Sequence, residues 1–219
     1  MLTKITMTLA AVALYTASAT TPKVERTFGW GKRWGHTLEC NKATAVLTGA
    51  CTSGGDRDCF NRQRASGIQC DHAKTKAIEH RGYGRQGYYN VWNKMAECKK
   101  HEFAYARCSS GKNKDCYANG KTVAHALWCR KNKFFKWGTS HVTVCGGRGE
   151  RIECPEGTAV VASCGAGKNA DCSFGECRGE GKVYTQLKCQ SIVSRPNAEI
   201  LLEMEEEKQE YSRKPYSPQ

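Results

Sequence analysis

The stretch C-S-S-G-K-N-K-D-C, Cys108 to Cys116, decides how the chain is read. A glycine, two lysines and small polar residues give it the look of a phosphate loop. A Walker-type loop, however, needs serine or threonine directly after its lysine and a helix behind it. Here Lys112 is followed by asparagine and the loop closes on a cysteine. Two relatives occur, C-T-S-G-G-D-R-D-C from Cys51 to Cys59 and C-G-A-G-K-N-A-D-C from Cys164 to Cys172. A glycine three residues past the opening cysteine (Gly54, Gly111, Gly167) and an aspartate before the closing one (Asp58, Asp115, Asp171) recur, while lysine gives way to Gly55 in the first copy. Architecture recurs and charge varies, so the stretch is one copy of an internal repeat.

Working outward, the cysteines fall into three blocks: Cys40, Cys51, Cys59, Cys70; Cys98, Cys108, Cys116, Cys129; and Cys154, Cys164, Cys172, Cys189. Block starts lie 58 and 56 residues apart, a repeat of about 57, and Glu39, Glu97 and Glu153 each precede the first cysteine. The segments T-A-V-L-T-G-A-C, E-F-A-Y-A-R-C and G-T-A-V-V-A-S-C are short, rich in β-branched or aromatic residues and bounded by turn residues, which predicts strands. Each leads into the loop, where glycine permits positive φ and Asp or Asn bonds the local backbone. A last strand ends on the fourth cysteine, in S-G-I-Q-C, A-H-A-L-W-C or V-Y-T-Q-L-K-C. Four cysteines allow three pairings. The nested one, second to third and first to fourth, is favoured, with the surplus Cys145 and Cys177 paired to each other. The expected fold is mainly β and disulfide-rich: either three small modules in tandem or one pseudo-threefold unit resembling a β-trefoil.

The expected divisions are a signal peptide at 1–19, a pro-segment at 20–33, blocks at 34–80, 81–133 and 134–195, and an acidic helix with a disordered tail at 196–219. The leader has a basic Lys4, a short apolar run and the triplet Ala17-Ser18-Ala19, the pattern of an export signal. Lys32-Arg33 is a dibasic pair of the kind that secretory processing proteases cut after. Toward the other end, A-E-I-L-L-E-M-E-E-E-K-Q-E-Y has high helix propensity behind Pro196-Asn197.

Export fixes the reading of the fourteen cysteines, because an oxidising route favours seven bridges. No C-x-x-C or His-x3-His spacing suggests zinc, and neither a metal nor a cofactor is expected. Bridges also suit a chain short of Leu, Ile and Phe, which has little apolar surface to bury.

The chain carries 34 Lys and Arg against 21 Asp and Glu, a net of +13. Residues 20–198 hold 30 against 15, a net of +15, because six glutamates sit between Glu199 and Glu210. Such a body is drawn to polyanions: acidic glycans, cell walls or RNA. Lys112, Lys114 and Lys168 in the loops are candidate contacts, as are Arg130, Lys131, Lys133 and Lys136 in C-R-K-N-K-F-F-K-W. Trp34 and Trp92 each stand six residues before a first cysteine. They are candidate stacking rings, with core filling as the competing reading.

Catalysis is not expected. None of the six histidines repeats in register in all three blocks, and neither G-x-S-x-G nor H-E-x-x-H occurs. A secreted ribonuclease is the enzymatic alternative, and a cationic lectin or antimicrobial protein the binding alternative. With its leader, its dibasic pair and blocks such as S-C-G-A-G-K-N-A-D-C and R-C-S-S-G-K-N-K-D-C, the chain resembles the small secreted cysteine-rich proteins of filamentous fungi, many of which act as effectors on a host. The resemblance covers the general layout and transfers no functional residue. It implies an extracellular protein, in the host apoplast or a host cell, that acts on a host protein or cell-wall target without catalysis.

Overall fold

The computed structural model describes residues 24–31, 33–40, 45–53, 59, 64–73, 85–89, 94–110, 116–118, 120–132, 134–167 and 169–195. The leader, Trp92, Lys112, Lys114, Lys133, Lys168 and the acidic segment 196–219 lie outside the described residues.

Among the described residues, fourteen strands follow in chain order. They are β1 Val24–Gly31, β2 Leu38–Glu39, β3 Val46–Thr52, β4 Ser66–Ala73, β5 Arg85–Tyr89, β6 Ala96–Glu97, β7 Glu102–Ser109, β8 Cys116–Ala118, β9 Lys121–Val123, β10 His125–Lys131, β11 Phe135–Gly146, β12 Ile152–Glu153, β13 Thr158–Gly165 and β14 Thr185–Ser194. The one helical element among the described residues is a 3₁₀ turn at Gly175–Cys177. The chain is therefore mainly β, as its β-branched and aromatic segments predict.

Apart from the small β8–β9 hairpin, the strands form three four-stranded antiparallel sheets, ordered β1-β4-β3-β12, β5-β10-β7-β2 and β11-β14-β13-β6. In each, three long strands come from one block and a two-residue edge strand comes from another. Ile152 and Glu153 pair with Ala50 and Gly49, Leu38 and Glu39 with Arg107 and Ala106, and Ala96 and Glu97 with Ser163 and Ala162. The lending is cyclic, third block to first sheet, first block to second, second block to third.

The bridges follow the same logic. Cys51–Cys59, Cys108–Cys116 and Cys164–Cys172 close the loops, each over a separation of 8 residues. Cys40–Cys70, Cys98–Cys129 and Cys154–Cys189 join first to fourth cysteine, and Cys145–Cys177 joins the surplus pair. This is the nested pairing the sequence favoured. Cys40 follows β2 in the second sheet and Cys70 lies in β4 of the first, so this class of bridge runs between sheets.

Strands β3, β7 and β13 are buried along almost their whole length and pack against one another. Their small residues, among them Gly49, Ala50, Ala104, Ala106 and Ala162, let three sheets converge. The central core draws one residue from each block at matching positions: Leu38, Ala96 and Ile152; Leu47, Ala104 and Val160; Ile68, Leu127 and Leu187. The six cysteines of the intersheet bridges pack with them.

β1 falls inside the stretch read as a pro-segment, yet it pairs with β4 along its full length, from Val24–Ala73 to Gly31–Ser66. No cysteine ties residues 20–33 to the body. Cleavage after Arg33 would therefore strip the first sheet of its edge strand.

Candidate polyanion-binding rim

Of the cations singled out in the sequence, Lys131 and Lys136 are exposed, at the end of β10 and near the start of β11. The chain leaves β10 after Lys131 and turns at Asn132, whose Oδ1 accepts from the backbone N–H groups of Phe134 (2.8 Å) and Phe135 (3.2 Å). This local Asx-type turn sends the chain into β11 and sets Lys136 and Trp137 beside the end of the second sheet.

A second basic segment meets it there. Lys131 stands opposite Glu102 in the β10–β7 ladder. Glu102 follows Lys99, Lys100 and His101 in a tight turn, with Glu102 N–H donating to Lys99 O at 3.0 Å. His101 takes φ of 68°, the left-handed region, which lets so short a turn reverse the chain. Lys99 N–H donates to Glu102 Oε2 at 3.2 Å, so this carboxylate is engaged within its own turn.

Trp137 locks the two segments together. Its Nε1–H donates to Glu102 O at 2.9 Å, its ring lies 5.9 Å from the His101 ring, and Phe103 meets it edge-on at 6.5 Å. Lys99, Lys100 and His101 on one segment and Lys131 and Lys136 on the other are all exposed, and half-buried Trp137 joins the two segments through Glu102 and His101. Among the described residues, four ammonium groups and an imidazole sit on these two segments, the kind of positive surface that phosphate or sulfate suits.

The other predicted contacts do different work. Arg130 is half-buried, its Cζ 4.3 Å above the Tyr105 ring and its Nη2 donating to Ala45 O at 3.2 Å. Burial lowers its pKa. It ties β10 to the first block and is no free contact. Trp34 is half-buried in the turn between β1 and β2, away from this rim in the fold. Lys112, Lys114, Lys133, Lys168 and Trp92 lie outside the described residues.

Lys99 and Lys100 are not candidate contacts in the sequence, His101 enters there only as one of six histidines, and Trp137 only within the basic aromatic stretch C-R-K-N-K-F-F-K-W. A signal was present: C-K-K-H-E-F follows the first cysteine of the second block, where the others have C-N-K-A-T and C-P-E-G-T.

Among the described residues the histidines are scattered. His36, His101 and His141 are exposed, on a turn, on the rim and on β11. His125 is buried at the start of β10 and its pKa falls to about 4, chiefly by burial and secondly through the Arg107 charge, against an opposing backbone hydrogen bond at Lys94. It is neutral at pH 7 and buried. Among the described residues, no cluster of three His, Cys, Asp or Glu could hold a metal ion, and no helix is long and apolar enough to cross a membrane. Compared with known proteins, the chain matches no family model, no curated protein and no solved structure.

Proposed function

We propose that this chain is an exported, disulfide-stapled binding protein that acts without catalysis, engaging a polyanion on a host or cell-wall target through the rim around Trp137. The reading keeps the effector-like role implied by the resemblance to small secreted cysteine-rich proteins. The observation that carries it is the joining of the segment that bears Lys99, Lys100 and His101 to the one that bears Lys131 and Lys136, through Trp137 and Glu102. Binding would release counterions condensed on the polyanion, so affinity falls steeply as salt rises.

The body on which the rim sits is one pseudo-threefold unit, not three modules. Cyclic lending of edge strands and bridges between sheets support this, because no block completes its own sheet.

The test is heparin and RNA binding at several salt concentrations, with an RNA cleavage assay alongside. Changing Lys99, Lys100, Lys131 and Lys136 together to Gln should flatten the salt slope by about one for each phosphate or sulfate that is no longer neutralised. An unchanged slope would remove the rim, and RNA cleavage by the pure protein would replace the reading with the ribonuclease.

A further inference from the structure

The outer face of the first sheet carries a second, chemically different patch. Edge strand β1 presents Arg26, Phe28 and Trp30 on one side by simple alternation. The Phe28 and Trp30 rings lie parallel to within 12° at a centroid separation of 6.0 Å, and Arg151 Cζ stands 5.0 Å from the Phe28 centroid. Phe28 is 42% exposed, on an edge strand, where natural sheets avoid apolar side chains.

Beside the rings runs a fixed polar network. Arg26 donates to Asp71 through Nε (3.1 Å) and Nη2 (3.3 Å) and to Glu153 Oε2 through Nη1 (3.4 Å). Glu153 also pairs with Arg151 and accepts from Gln69 Nε2 at 3.3 Å. Three strands or their flanks contribute, β1, β4 and β12, so the array is held in place by the sheet itself.

The frame does not require it. At the matching register of the third sheet, where Val142 faces Cys189 as Thr27 faces Cys70, the counterparts of Arg26, Phe28 and Trp30 are His141, Thr143 and Cys145. The third sheet closes without phenyl, indole or guanidinium groups at those places.

The charges decide the ligand class. Two guanidinium groups face two carboxylates, so the patch offers a polyanion no net attraction. It offers ring surface, whose electron-rich face attracts weakly positive C–H groups, next to oriented donors and acceptors. A pyranose has both complements, a C–H face and a rim of hydroxyls. We infer that the outer face of the first sheet is a saccharide site, where a neutral pyranose oligosaccharide stacks on Phe28 and Trp30 and hydrogen-bonds to Arg26, Asp71 and Glu153. It shares no residue with the basic rim and stands or falls separately from it.

Calorimetric titration of the native protein with chitohexaose and with laminarihexaose, at low and high salt, tests this. One of the two should bind with an affinity that changes by less than about twofold with salt, since no net charge is neutralised. Phe28→Ala and Trp30→Ala should each weaken that binding by at least about tenfold, as loss of a stacking ring does, while Phe28→Tyr retains it and shows that the sheet tolerates change there. Heparin binding should be untouched in all three variants. Saccharide binding without heparin binding would overturn the polyanion reading and leave this one standing. Binding of neither hexasaccharide, binding that survives both alanine variants, or binding that collapses with salt would overturn the saccharide site.

Discussion

Arg107, from the second block, places its Nη2 2.8 Å from Thr52 Oγ1 of the first block and its Nε 2.7 Å from Ser163 Oγ of the third. The side chain is buried, and its remaining acceptors are the carbonyls of Cys164 (3.1 Å) and Cys51 (3.4 Å). All four acceptors are neutral, and burial lowers the guanidinium pKa to about 9, which leaves it charged at neutral pH. One cation thus ties together the ends of three strands from three blocks. Thr52 and Ser109 complete the cluster, Oγ1 to Oγ at 3.3 Å. Gly165 holds the matching position in the third block, where a Cβ would come within 2.4 Å of Ser109 Oγ and 2.7 Å of Arg107 Nη2.

Replacing Arg107 by Met should remove the cation but strand its buried acceptors. A loss of about 3 kcal/mol in denaturant unfolding is expected, from the cost of several unsatisfied buried polar groups. A loss below about 1 kcal/mol would show that these hydrogen bonds contribute little net stability. Gly165→Ala should also destabilise, through the clash with Ser109 and Arg107.

Stability should fall on mild acidification through His125. Its pKa drops from 6.5 unfolded to about 4 folded, so the unfolded chain binds the extra proton and gains as pH falls between those values. The contribution is complete above about pH 6.5 and lost towards pH 4, with a size of about 3 kcal/mol. Denaturation at pH 7 and pH 4.5 should show a smaller difference in His125→Gln than in the parent. Equal differences would assign the acid sensitivity to carboxylates.

The two classes of bridge should differ in worth. By loop entropy a bridge spanning 30 residues contributes about 3.6 kcal/mol and one spanning 8 about 2.5 kcal/mol. The long bridges also run between sheets. Replacing Cys40 and Cys70 by Ala should therefore lower the midpoint more than replacing Cys51 and Cys59, and the reverse order would contradict the intersheet role. In the intact protein, full reduction should add fourteen hydrogens to the mass of the oxidised chain.

Removing residues 199–219 deletes six Glu and three Lys or Arg, a net of −3. Heparin affinity should rise severalfold at low salt and the gain should vanish at high salt, where screening is strong. A gain that persists at high salt would point to something other than charge.

Starting the chain at Trp34 removes β1. Because β1 pairs along its whole length with β4, the shortened protein should unfold at lower denaturant and lose Phe28 and Trp30 with the strand. Unchanged stability would fit processing after Lys32-Arg33.

Much of this molecule was legible in the chain because local chemistry wrote it. Cysteine spacing favours the 8-residue loops, since two short strands about a turn bring their cysteines together, and β-branched segments such as T-A-V-L-T-G-A-C favour extension. The nested pairing and the match of Cys145 with Cys177 were only favoured among the pairings that the spacing allows, and the fold selects them. The lending of Leu38–Glu39, Ala96–Glu97 and Ile152–Glu153 between blocks could not be read, because a two-residue strand has no periodicity and its partner is set by tertiary packing. Arg107 looked like one cation among many, and its burial exists only because three sheets converge on it. Lys131 and Lys136 were visible as charge, but the joining of their segment to that of Lys99, Lys100 and His101 was not: 30 or more residues separate the two groups in sequence, and Trp137 closes that gap with one hydrogen bond to Glu102. Local pattern favours strands and loop bridges; which surfaces meet depends on long-range packing, which the sequence encodes only collectively.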